Sequence, residues 1–122
     1  MYELTVESTF SAAHAITIRG EREPLHGHDW RVTLTVAAPT LDPDGLICDF
    51  HALHELLRAA IAPFHNRALN DVPPFDRLNP TAEHVARHVG QAVARSLPPG
   101  ITLNSARVTE APGCAAIWKP DA

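Results

Sequence analysis

The chain has 122 residues, 45% of them hydrophobic, and a formal net charge of -4. That length suits one domain, residues 1–122, with a single core that buries roughly two-thirds of the unfolded surface. The acidic balance, with Lys119 the sole lysine, argues against nucleic acid or an anionic membrane as a partner. No apolar run approaches the ~20 residues of a membrane span, and MYELTVESTF carries no targeting signal, so a cytoplasmic location is expected.

From the N-terminus, YELTVESTF alternates Tyr2, Leu4, Val6, Ser8 and Phe10 against Glu3, Thr5, Glu7 and Thr9. This period of two predicts a half-buried strand. WRVTLTVAA repeats it with Trp30, Val32, Leu34 and Val36 on one face. Between them lies a long connection, residues 11–29, holding His14, the polar run RGEREP and the stretch EPLHGHDW. A connection of that length inside a small domain usually has a function.

After the turn PTLDPDG, Phe50, Leu53, Leu56, Leu57, Ala60, Ile61 and Phe64 fall at helical spacing, with Asp49 placed as the cap. Pro73 and Pro74 interrupt the chain. Asn79 and Pro80 then form a cap and first-position pair for a second helix carrying Val85, Ala86, Val89, Ala92, Val93 and Leu97 inward. Pro98 to Gly100 close that helix, and ITLNSARVTE and CAAIW predict two more strands around an APG turn. The expected fold is α+β, a four-stranded antiparallel sheet with two helices on one face in the order β-β-α-α-β-β. Its two open edges predict a homo-oligomer.

Eight histidines against two cysteines is the compositional anomaly. Cys48 and Cys114 lack the paired spacing of a thiolate site and are expected to be free, small buried residues. His26 and His28 flank Gly27, and in an extended segment residues two apart point the same way. An HxH pair alone fits a polar loop better than a metal site. His14, however, follows the end of the first strand, which an antiparallel hairpin brings near the start of the second. Three imidazoles with an open fourth position is the composition of a catalytic zinc site. HxH also occurs in cupins, but those want a glutamate three or four positions after the second histidine, where Arg31 and Val32 stand. That reading is a distant alternative.

Six motifs then fall in order: FSAAH (10–14), HGH (26–28), GLICDF (45–50), LND (69–71), NPTAEH (79–84) and TE (109–110). Together the chain resembles the 6-pyruvoyl-tetrahydropterin synthase and 6-carboxytetrahydropterin synthase family over nearly its whole length. The resemblance implies the tunnelling fold, with trimers closing a twelve-stranded barrel and stacking into a hexamer with active sites between subunits. It also implies Zn2+ on His14, His26 and His28, a small-molecule pterin substrate derived from dihydroneopterin triphosphate, Glu110 as the anchor of the pterin ring, and Thr81 and Glu83 in the pocket. For Glu110 the chemistry is sound, since a carboxylate accepts two parallel N–H bonds from the ring amide and the 2-amino group. Thr81 and Glu83 equally suit a helix N-terminus.

The departures are informative. The synthases carry a proton-abstracting cysteine four residues before HGH, where this chain has Arg22, which cannot lose its proton. The family's Asp-His pair corresponds to His65 and Asn66. A folate-feeding branch is marked by a glutamate three residues before HGH, and Glu23 stands there. By that resemblance Glu23 is the base, His65 a second catalytic residue, and the product 6-hydroxymethyl-7,8-dihydropterin. The alternatives are a 6-carboxytetrahydropterin synthase of queuosine biosynthesis and an inactive zinc- and pterin-binding protein. Glu23 also reads as one more charge in RGERE.

Overall fold

The computed structural model describes residues 1–121. Strand β1, Tyr2–His14, pairs antiparallel with β4, His26–Ala38, over all 13 positions, from Tyr2 opposite Ala38 to His14 opposite His26. Both strands extend four residues further toward the intervening connection than the alternation of large apolar residues predicts. The extra positions are filled by alanine, serine, glycine, aspartate and histidine, which carry little strand signal, yet Ala12 and His14 keep the even-numbered face buried. The connection is thereby reduced to residues 15–25, and it folds into a ribbon of two short strands, β2 (Thr17–Ile18) and β3 (Glu21–Arg22).

Helix α1, Phe50–Ile61, starts at Asp49, whose carboxylate accepts the His51 amide at 2.9 Å. It turns Leu53, Leu57 and Ile61 into the core, while Phe50 is left 51% exposed. Phe64 is buried from a following 3-10 turn rather than from the helix. Then comes β5, Arg67–Ala68, which pairs in parallel with Ala12 and Ala13 of β1. Helix α2, Ala82–Ala94, buries Val85, Ala86, Val89, Gly90 and Val93. Strands β6, Thr102–Ala111, and β7, Cys114–Trp118, complete the sheet.

Two expectations are corrected. The sheet has five strands in the order β5-β1-β4-β6-β7 and is mixed, not four-stranded and antiparallel; a two-residue strand is too short to carry any periodicity. The cap of α2 is Thr81, whose hydroxyl accepts the His84 amide at 3.1 Å, because the Asn79 amide is engaged with the backbone of Thr17. Leu97 lies beyond the helix but still packs on the core.

The core lies between the helices and the even-numbered face of the sheet, with Trp30, Val32, Leu34 and Val36 of β4 at 0% exposure. The opposite face carries Glu7, Thr9, Arg31, Thr33 and Arg107, all exposed or half-buried. Gly90 is required where α2 crosses β7: a Cβ there would lie 2.6 Å from Trp118 Cε3. Cys48 and Cys114 are free, but Cys48 is only half-buried and Cys114, at the start of β7 beside the turn, is exposed rather than buried as expected; partial burial raises the Cys48 thiol pKa above its ordinary value. Among the described residues, no helix is long and apolar enough to cross a membrane.

Candidate metal centre

Because His14, His26 and His28 share the parity of Phe10 and Trp30, all three project from the helix-covered face of the sheet, at the end where β1 finishes and β4 begins. Their donor atoms lie within 4.8 Å of one another, and the rings meet edge to face at centroid distances of 4.7 to 5.1 Å. Trp30 backs the cluster, its ring 4.8 Å from His14 and 5.7 Å from His28. Trp30 is itself fixed by stacking on Phe10 and by an Nε1 hydrogen bond to the Ala12 carbonyl at 3.1 Å.

The hydrogen bonds decide which nitrogens can act as ligands. A carbonyl only accepts, so Nδ1 of His14, 2.8 Å from the Pro80 oxygen, carries the proton, as does Nδ1 of His26, 2.9 Å from the Pro24 oxygen. In each neutral ring the Nε2 lone pair is then turned into the cluster, the arrangement by which a second hydrogen bond orients a metal-ligating histidine. Nε2 of His14 and Nε2 of His28 are buried without a hydrogen-bond partner. Burial, the largest cause, pushes the pKa of His28 below its ordinary value; the neighbouring His14 and His26 add to this, and Glu110 and Glu23 oppose it. A neutral imidazole is the form that binds a metal.

Two carboxylates complete the picture. The Glu110 Oε1 atom lies 3.1 Å from His14 Nε2 and 3.9 Å from His28 Nε2, and the Glu23 Oε1 atom lies 3.7 Å from His26 Nε2. With Nδ1 of His14 protonated, the short contact to Glu110 is between two acceptors and is not a hydrogen bond unless the ring takes a second proton. Lone pairs and carboxylates converging without donors between them is the electrostatics of a cation site. The residues present therefore fit a metal ion, and the donor set suits a first-row divalent ion.

The other predicted residues are dispersed. Thr81 caps α2, and Glu83 is exposed in the first turn of that helix. His65 is exposed, and its Nδ1 accepts the Ser11 amide at 3.2 Å; within the chain it does not join the histidine cluster. Arg22 is exposed on the ribbon. A cleft of about 780 Å³ opens beside the cluster, with His28 and Glu110 at its rim and Arg31, Thr33 and Arg107 along its wall. Sequence reasoning missed the carbonyls of Pro24 and Pro80, which orient the His26 and His14 rings, and the side chains of Asn70 and Asn79. The LND and NPTAEH motifs contain three of these four residues, but a backbone carbonyl leaves no residue-type signature.

The whole arrangement has relatives. The family model described as 6-pyruvoyl tetrahydropterin synthase matches residues 3–121. The 6-carboxy-5,6,7,8-tetrahydropterin synthase of Bacillus subtilis (strain 168) is 31% identical over an alignment of 128 residues, covering 98% of this chain and 86% of that protein. A dihydroneopterin monophosphate aldolase of Pyrococcus furiosus is 29% identical over 96 residues, 79% of this chain and 78% of that one. Among solved structures, the 6-pyruvoyl tetrahydropterin synthase of Caenorhabditis elegans superposes with a TM-score of 0.83 at 22% identity, covering 99% of this chain and 98% of that one. A Plasmodium vivax 6-pyruvoyltetrahydropterin synthase, a catalytic-residue mutant with a glutamate replaced by alanine, gives 0.80 at 20% identity with the same coverage. With the family model spanning nearly every residue and the Bacillus relative aligned across almost the full chain, this protein belongs to the 6-pyruvoyl tetrahydropterin synthase family.

Proposed function

We propose that this chain is a zinc-dependent pterin lyase that cleaves the side chain of 7,8-dihydroneopterin triphosphate to give 6-hydroxymethyl-7,8-dihydropterin. The observation that carries this reading is the direction of Glu23. Its carboxylate turns to His26 at 3.7 Å, whereas Arg22, in the position of the usual cysteine, is exposed and chemically unsuited to take a proton. The similarity to an aldolase acting on a dihydroneopterin phosphate and the catalytic glutamate of the Plasmodium relative support the same assignment.

In this reading His14, His26 and His28 would hold the zinc, which would supply Lewis-acid chemistry to the substrate's side-chain oxygens. Glu110 accepts the N–H groups of the pterin ring and fixes its orientation. Glu23 takes the proton of the 2′-hydroxyl, the C1′–C2′ bond breaks with its electron pair entering the conjugated C6=N5 system, and Glu23 returns the proton to C1′. The products balance as the 6-hydroxymethyl pterin and glycolaldehyde bearing the phosphates. His65 presents its Nε2–H outward and serves as a second proton carrier across a subunit boundary, in a trimer or hexamer closed through the sheet edges at β7 and β5. In this reading Thr81 and Glu83, at the start of α2, contribute to the pterin pocket of the assembled protein, although the Thr81 hydroxyl is committed to the cap.

A second reading, the 6-carboxytetrahydropterin synthase reaction, is favoured by the Bacillus relative and disfavoured by the missing cysteine. Incubating the purified protein with 7,8-dihydroneopterin triphosphate and weighing the products separates them: the hydroxymethyl compound supports the lyase, the 6-carboxy compound the second reading, and unchanged substrate a binding protein. Glu23→Gln is expected to lose turnover by about 10²- to 10⁴-fold while zinc stays bound. Full activity in that variant removes Glu23 as the base.

A further inference from the structure

The segment that follows His14 is an extended stretch that leaves the main sheet, and only Thr17 and Ile18 have a strand, β3, beside them. The β1 to β4 register ends at His14 opposite His26, and β5 reaches only Ala12 and Ala13. Ala15 is nonetheless 1% exposed, and buried backbone groups left unpaired are costly. Three side chains take the place of the missing strands. Asn70 accepts the Ala15 N–H through Oδ1 and donates to the Ala15 carbonyl through Nδ2, both at 2.9 Å. Asn79 does the same for Thr17, again with both bonds at 2.9 Å.

Successive residues of an extended chain turn their N–H and C=O groups to opposite sides, so Ile16 faces away from the two asparagines. On that side its backbone hydrogen bonds among the described residues are with Glu23. The Glu23 N–H donates to the Ile16 carbonyl at 3.0 Å, and the Ile16 N–H donates to Glu23 Oε1 at 3.1 Å. That oxygen is the one 3.7 Å from His26 Nε2. The carboxylate is thus held through the backbone of Ile16, and that backbone is pinned on both flanks by amide side chains.

We propose that Asn70 and Asn79 are positioning residues for the Glu23 carboxylate, acting through the backbone of residues 15–17; this rests on the reading of Glu23 as the base. An asparagine amide is suited to the task because it offers a donor and an acceptor in one plane, as a peptide group does. Aspartate lacks the donor, leucine lacks both, and glutamine is one methylene too long. Asn79 has a second connection that ties the base to the metal centre. Its own carbonyl receives the Thr81 N–H and His84 Nδ1–H, both at 2.8 Å, and the next carbonyl, that of Pro80, receives His14 Nδ1–H. One dipeptide therefore sets the register between the α2 N-terminus, the ligand His14 and the strand that aims Glu23.

The test compares Asn79→Ala and Asn79→Asp with the parent, all as full-length zinc-loaded protein. Both variants keep the backbone carbonyl that serves Thr81 and His84, so the helix start is preserved. Turnover of 7,8-dihydroneopterin triphosphate is expected to fall in kcat by about 10- to 100-fold for Asn79→Ala, the scale of a misplacement near 1 Å. KM and zinc content stay unchanged, and Asn79→Asp, which keeps the Thr17 N–H bond, falls between the two. Amide exchange followed by NMR gives a readout independent of activity: Ile16 exchanges faster in Asn79→Ala although its own partner, Glu23, is intact. A kcat within twofold of the parent, a parallel loss of zinc or rise in KM, or unaltered Ile16 exchange overturns the proposal. Full turnover of Glu23→Gln alone would instead overturn the base assignment, leaving Ile16 exchange to decide whether the asparagines control that strand.

Discussion

Removal of the metal proposed for the histidine cluster is the perturbation whose consequence can be worked out most fully. His14 Nε2 and His28 Nε2 are buried lone pairs without hydrogen bonds, and Glu110 Oε1 faces the first of them at 3.1 Å. A buried polar atom left unsatisfied costs about 1 to 3 kcal/mol, so two of them cost about 2 to 6 kcal/mol in the metal-free protein. Unfolding entropy near 60 °C is about 2.1 cal/mol/K per residue, which for a chain of this length converts that range to about 8 to 23 °C in Tm. The assay is a thermal melt at fixed protein concentration, before and after dialysis against a chelator, with metal content measured on each sample and zinc then restored. The expected result is a drop within that range, reversed by one equivalent of zinc. A change of less than about 2 °C in protein shown to have lost its metal would refute the reasoning, because the buried nitrogens would then be satisfied some other way.

Glu110→Ala is expected to weaken binding of a pterin analogue while leaving zinc content at the parent level; equal affinity by calorimetry would remove the anchor. His88 packs edge-on against Phe64 and Phe75, and burial, aided by Arg95, pushes its pKa below its ordinary value. The folded state therefore holds fewer protons at this site than the unfolded one, so its contribution to stability is present above about pH 6.5 and is lost as pH falls through the lower folded value. Titration of the His88 ring by NMR with a midpoint at or above 6.5 would contradict this. Gly90→Ala gains about 1 kcal/mol of helix propensity but forces a Cβ to 2.6 Å from Trp118 Cε3. Overpacking of that kind typically costs about 1 to 3 kcal/mol. The expected outcome is a lower denaturation midpoint with β7 displaced, and a midpoint above the parent's would show that Trp118 moves aside freely.

The histidine cluster of the candidate metal centre was legible in the sequence because strand geometry has a period of two. Once β1 and β4 are recognised from Phe10 and Trp30, the even numbering of His14, His26 and His28 places all three on one face. The six collinear motifs identified the family for a different reason: they are local strings, and local strings survive without knowledge of the fold. The two helices were legible from their apolar spacing, although the α2 cap was not, since Asn79 and Thr81 are both good caps and only tertiary contact with Thr17 chooses between them.

What the tertiary structure alone decided is everything that depends on contacts between distant segments. The strand β5 has two residues and no pattern, and it exists because the edge of β1 is available to it. Glu110 reaches His14 because β6 lies beside β4 and an irregularity between Thr109 and Ala111 interrupts its pairing with β7. The direction of Glu23 is set by the Ile16 backbone, which is in turn held by asparagines more than fifty positions away. A sequence specifies which side chains share a face through its periodicity, but a hydrogen bond to a backbone amide carries no residue-type preference on the backbone side. Glu23 stands out in the sequence by its place three residues before HGH, but only the folded chain shows its carboxylate turned to the Ile16 amide and His26 rather than to solvent with the other charges of RGERE.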